Sequence, residues 1–187
     1  MNYRDYQKSR DLSWQILLAE GVTSLPVMVG SLCGSMGIRV RYYEPEDESD
    51  GYSVIIKGDP VIFVSSRCSV ERQRFTCAHE LGHILLGHVG RYKLVNREPR
   101  PGDNPIEKAA NVFASRLLAP ACVLYGCGVH TAEGIMSLCR ISRQAAEYRA
   151  ERMEELYRRN KFLTSPLERE LYQRFQPFIQ ANRGKYL

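Results

Sequence analysis

The chain has 187 residues, 44% of them hydrophobic, enough for one domain or for a core with an appendage. It holds no run of about 20 apolar residues that would span a bilayer. Its first residues, with Arg4, Asp5, Lys8, Arg10 and Asp11, lack the apolar stretch of a secretion signal. The net charge of +5 is uneven: residues 140–187 hold 11 basic and 6 acidic side chains, so the whole excess lies there. A basic tail attracts nucleic acid or an acidic protein surface, but Glu147, Glu151, Glu154 and Glu155 interrupt any stripe that would face DNA.

In chain order, residues 4–20 read as an amphipathic helix with Trp14, Ile16, Leu17 and Leu18 on its apolar side. Pro26 is expected to open a second helix that ends near Gly37. Ile38 to Tyr43 alternates like a strand, and Glu44 to Gly51 is an acidic turn. Tyr52–Lys57 and Val61–Ser65 read as two strands joined around Gly58-Asp59-Pro60. If Val61–Ser65 is an edge strand, an extended substrate can pair with it.

A helix over 69–88 follows, and it contains His79-Glu80-Leu81-Gly82-His83. Two histidines four residues apart stack on one helix face, with Cβ atoms roughly 6 Å apart, a span suited to holding one zinc ion. Glu80, next to the first of them, is placed to reach water at the metal and to act as acid and base in peptide hydrolysis. The surrounding Phe75–Leu86 is apolar almost all round, so these polar side chains are buried and need a partner.

Zinc in a catalytic site takes a third protein ligand. The spacing HExxHxxGxxH fails, because Leu86 and Val89 stand where its glycine and histidine belong. On a continued helix His88 would point away from His79, and it reads as a helix-end residue. A carboxylate is the other option. After a long polar loop at 89–104, Asn104 and Pro105 suit the cap and first turn of a helix whose apolar stripe is Ile106, Ala110, Phe113 and Leu117. Glu107 either completes a His-His-Glu site or folds back as half of a capping box. Asn111, one turn on, either fixes the tautomer of a ligand histidine or is an ordinary buried polar residue.

Arg74-Phe75-Thr76 with Ala78-His79-Glu80-Leu81-Gly82-His83 resembles the signature of the ImmA/IrrE family of metallopeptidases. So does Glu107-x-x-Ala110-Asn111-x-Phe113-Ala114-x-x-Leu117-Leu118-x-Pro120. Leu25-Pro26-Val27 leading to Gly37-Ile38-x-Val40 is similar to the family's helix and first strand, so the likeness covers roughly residues 20 to 160. The resemblance implies a zincin-like (gluzincin) α+β fold, with His79, His83 and Glu107 as zinc ligands and Glu80 as the catalytic acid/base. It also implies a protein substrate, since family members cut or otherwise inactivate helix-turn-helix repressors. Cys77 departs from the family's usual larger aliphatic residue.

The expected architecture is a zincin-like core over 1–120, with a small sheet of about three strands packed on the HExxH helix and a following ligand-bearing helix. A helical region over 121–187 packs on it. Thr131–Leu138, a turn at Cys139–Ile141 and a helix capped by Ser142 have a helix-turn-helix rhythm, with Arg143 and Gln144 where base-reading residues stand. The preferred reading is a plain helical hairpin without direct nucleic-acid binding. Ser165-Pro166-Leu167-Glu168 is a helix start with cap, proline and capping box together.

Six cysteines with no CxxC pair predict reduced, mostly buried thiols and a cytoplasmic location; Cys122 and Cys127 are weighed as a redox pair and set aside. Tyr92, Tyr125 and His130 are candidates for an oxyanion donor, and no spacing selects one. The leading function is a zinc endopeptidase acting on a regulatory protein. The alternative is a zinc-binding anti-repressor module that docks without cutting. Substrate-binding residues and oligomeric state are not legible in the sequence.

Overall fold

A computed structural model describes residues 2–89 and 104–186. The chain divides into two compact units, Met1–Arg10 with Met28–Ala114, and Asp11–Val27 with Ser115–Leu187. The first helix, α1, runs Tyr3–Ala19 and buries Trp14 and Leu17.

In the first unit a mixed sheet is built from β1 (Arg39–Tyr43), β2 (Gly51–Ile56) and β3 (Asp59–Ser65), in the order β1-β3-β2. β3 pairs parallel with β1 from Val61 and antiparallel with β2. It is therefore the central strand, and the expectation of Val61–Ser65 as an edge fails. The reason was visible in its composition: Val61, Ile62, Phe63 and Val64 form a near-continuous apolar run, as a strand covered on both faces requires, and Ile62 and Val64 are fully buried. The β2–β3 turn is also tighter than expected. It closes over Lys57 and Gly58, at φ 54° and 93°, the two positive values of a type I′ hairpin turn. Asp59 and Pro60 are already in β3. Pro60 sits just ahead of the β1 ladder, where a missing N–H is tolerated.

α2 spans Val29–Ser35 and packs on β1 and on α3 (Val70–Leu85), which lies against β2 and β3. Pro26 does not open α2. Residues 24–26 bend, and Met28 at φ −85°, ψ 80° is outside the helical region, so the helix starts only after it. α4 covers Pro105–Leu118 and buries Ala110, Phe113, Ala114 and Leu117. Cys33 of α2 and Cys77 of α3 meet in the core with their sulfurs 3.9 Å apart. That contact first, and burial second, hold the Cys77 thiol far above the ordinary range.

The second unit is helical: α5 (Ala121–Cys127), α6 (Ala132–Cys139), α7 (Arg143–Arg158), α8 (Pro166–Arg174) and α9 (Gln176–Asn182). α6 packs on α7, and α5 packs on α8 and α9. Thr131 caps α6 and Ser142 caps α7, each accepting from the backbone N–H three residues on. Between them Arg140 turns the chain in the left-handed region at φ 50°. Ser165 caps α8 as expected, but the returning Glu168 carboxylate accepts from Thr164 N–H, one residue before the cap. Phe175 and Ile179 are buried.

The run Pro105–Cys127 is long and apolar enough to cross a membrane by length and composition, yet 72% of its most apolar part is buried inside the protein, as in a core helix. All six cysteines are free thiols. Burial pushes Cys127 up to about 11 and Cys122 higher still, which makes both inert rather than a reactive pair.

Candidate metal centre

α3 starts at Ser69, whose hydroxyl accepts from Arg72 N–H at 3.3 Å. Thr76, Cys77, Ala78, Glu80, Leu81, Gly82 and His83 are buried. With one turn between them, His79 and His83 bring their Nε2 atoms within 2.9 Å. The second helix approaches closely because residue 82 is glycine: a Cβ there would stand 3.0 Å from the Phe113 ring. Phe113 can therefore seat α4 against α3, carrying Glu107 and Asn111 on the neighbouring face of α4 to the histidines.

Glu107 had the helix start and α3 as competing partners. At the helix start Asn104 Oδ1 accepts from Ile106 N–H at 2.9 Å. The Glu107 carboxylate instead reaches α3, with Oε2 3.1 Å from His79 Nε2 and Oε1 3.3 Å from His83 Nε2. Asn111 Oδ1 lies 2.9 Å from His79 Nδ1.

One ligand atom from each of His79, His83 and Glu107 falls within 4.8 Å of the other two. Three lone-pair atoms converging this way, in a pocket where the side chains are only 7–18% exposed, repel one another unless a cation or extra protons sit among them. A tetrahedral ion about 2.0–2.1 Å from each ligand would hold them about 3.3 Å apart. The histidine nitrogens stand 2.9 Å apart, and each has one oxygen of the Glu107 carboxylate at 3.1 or 3.3 Å. The donor set fits a metal ion. Contact with His79 and then with His83, working against partial burial, holds the Glu107 carboxyl well below the usual range, so it is an anion at neutral pH.

Glu80 follows the first histidine in α3 and is buried. Ser53, on β2, donates its hydroxyl to Glu80 Oε2 at 2.7 Å. Ser53 went unnoticed in the sequence, although strand alternation puts it on one face with Gly51 and Ile55. His88 is a helix-end residue, as expected, but the helix does not continue through it. α3 stops at Leu85, and Gly87, at φ 74°, turns the chain back. His88 N–H bonds to His83 O at 2.9 Å and Gly87 N–H to Ile84 O at 3.1 Å, the pair that defines a Schellman motif. This brings His88 Nδ1 to 3.0 Å from His83 Nδ1. The glycine after Leu85-Leu86 was the signal for this helix stop. Burial, and next the neighbouring His83, push His88 down to about 4, so it is neutral at pH 7.

Tyr92 and the 89–104 loop fall, beyond Val89 and before Asn104, outside the described residues. Tyr125 and His130 belong to the second unit, where Tyr125 stacks on Phe162 at 4.3 Å and His130 lies edge-on to Tyr157 at 5.7 Å.

The family model of the IrrE N-terminal-like domain, a peptidase family, matches residues 33–151, from α2 into α7. The chain belongs to the IrrE N-terminal-like peptidase family. No curated protein is similar enough to count as a match. The matched span of this IrrE-like peptidase contains His79, Glu80, His83, His88, Glu107 and Asn111 together. Its α+β architecture, with a small sheet against the HExxH helix, is the zincin-like arrangement that the resemblance implied.

Proposed function

We propose that this IrrE-like protein is a zinc-dependent endopeptidase that acts inside the cell on a regulatory protein, in particular a helix-turn-helix repressor. One observation carries the reading: His79, His83 and Glu107 bring a ligand atom each within 4.8 Å of the other two, and Glu80 is the residue next to the first of them in α3. The donor set of two imidazoles and one carboxylate is that of thermolysin-type zinc sites. Zinc held there supplies Lewis-acid activation of water and of the scissile carbonyl.

The remaining work falls to this chain's own residues. Asn111 accepts from His79 Nδ1–H, which leaves Nε2 as the lone-pair nitrogen facing the site. Glu107 contributes the negative charge. Glu80 takes a proton from the attacking water and returns it to the leaving amine nitrogen. The Ser53 hydroxyl occupies one oxygen of Glu80 and leaves the other for that transfer. β2 is an edge of the sheet and carries Ser53, so an extended substrate strand that adds to β2 would be delivered beside the acid/base.

The repressor target rests on the resemblance to the ImmA/IrrE metallopeptidases. The α6–α7 hairpin is read as a packing element, supported by Arg143 being engaged with Glu133 at 3.1 Å. An absence of band shift with duplex DNA at low salt is the expected result. The direct test of the function incubates the full chain, zinc-loaded, with helix-turn-helix repressors encoded beside it and follows fragments by mass spectrometry. Fragments with wild type and none with Glu80→Gln support the reading. Repressor inactivation undiminished in Glu80→Gln replaces it with a docking module.

A further inference from the structure

We propose that His88 is the positioning residue of the second ligand histidine: it accepts the Nδ1 proton of His83 and so fixes that ring's tautomer and direction. The inference rests on the metal reading above.

The two ligand imidazoles turn their Nε2 atoms to a common point, 2.9 Å apart and 3.1 and 3.3 Å from the Glu107 oxygens. A nitrogen that ligates a metal offers a lone pair, so in a neutral imidazole the proton resides on the other nitrogen. That N–H, buried, needs an acceptor; without one the ring loses its preferred orientation and basicity. For His79 the acceptor is Asn111 Oδ1 at 2.9 Å. For His83, which is 6% exposed, the atom at Nδ1 is His88 Nδ1 at 3.0 Å.

His88 meets the other side of the His83 ring from Nε2, so it is a support for the ligand and not a further ligand. The two rings are edge-on, at 65°, which lets an in-plane N–H of one point at an in-plane lone pair of the other. Residue 88 is also held in place by the backbone. Its N–H bonds to His83 O at 2.9 Å, and the left-handed Gly87 makes the reversal possible. The end of α3 thus presents an acceptor to the last ligand on that helix, as α4 presents Asn111 to the first.

The test is a zinc titration of the full chain in competition with a chromophoric chelator. It compares wild type, His88→Ala, His88→Asn and Glu107→Ala, with the helical content of each metal-free protein checked by circular dichroism. An Asn Oδ1 can occupy nearly the place of His Nδ1. The expected result is zinc affinity about 10-fold or more weaker in His88→Ala and largely recovered in His88→Asn, with a cobalt absorption spectrum altered in the first and restored in the second. Unchanged affinity in His88→Ala, or equal weakening in both variants, overturns the inference. If Glu107→Ala loses zinc in that same experiment, the metal reading still stands. A wild-type chain that takes no zinc removes the metal reading and this inference with it.

Discussion

The end of α3 and the α6–α7 hairpin use polar side chains for different ends. In the hairpin, polar groups serve the chain locally: Thr131 and Ser142 close helix starts, and Arg143 pairs with Glu133 where both are more than half exposed. Each makes one short-range bond, and its loss is felt only there. At α3, polar groups from β2, α3 and α4 are aimed at one another across 27 to 32 residues of sequence. Glu80 and His83 among them are buried, where unpaired polar groups are costly. The lesson is that spatial convergence of polar groups, more than their presence, marks the site: the hairpin is richer in charge, yet chemistry is concentrated where the charge is scarce.

Mutations can break this contrast, beginning with the largest effect. Glu80→Gln is expected to lower peptide cleavage about 10²- to 10⁴-fold with zinc content unchanged, as measured by fragment yield beside elemental analysis. Loss of zinc in that variant would mean that Glu80 helps to build the centre and is not the proton carrier.

Gly82→Ala puts a methyl 3.0 Å from the Phe113 ring and should destabilise the fold by about 1–3 kcal/mol through overpacking. Because Phe113 seats the helix that carries Glu107, zinc affinity should fall as well. A denaturant melt and the chelator titration separate the two effects.

The metal-free protein should lose stability as pH falls from about 6.5 toward about 4. The folded state keeps His88 neutral down to about 4, against 6.5 for the free side chain. Between those values the unfolded chain binds a proton that the folded chain refuses, so stability rises with pH. Melts across this window should show the slope, and His88→Asn should flatten it. The smallest effect belongs to the hairpin. Ser142→Ala should cost about 1 kcal/mol and leave zinc binding untouched.

Much of this was legible in the sequence where physics is local. The caps at Asn104, Ser142 and Ser165 were readable because a hydroxyl or amide at a helix start acts within three residues. The pairing of His79 with His83 follows from helical spacing alone. Glu107 required the resemblance, since at the third helical position a glutamate has two competing partners and only tertiary packing decides between them. Ser53 and His88 were lost for different reasons. The first acts across a sheet–helix interface that no sequence period describes. The second depends on where α3 stops: two more residues of helix would have pointed it elsewhere. Reading Val61–Ser65 as an edge took chain order as a guide, when its unbroken apolar run already described a central strand.

Everything proposed for the site depends on His79, His83 and Glu107 holding one zinc ion. The most direct test of that is metal content by elemental mass spectrometry on protein purified without added metal, for wild type and Glu107→Ala. About one zinc per chain is expected in wild type, with a marked loss in the variant. Zinc retained in full by Glu107→Ala, or no zinc in wild type even after it is offered, would contradict it.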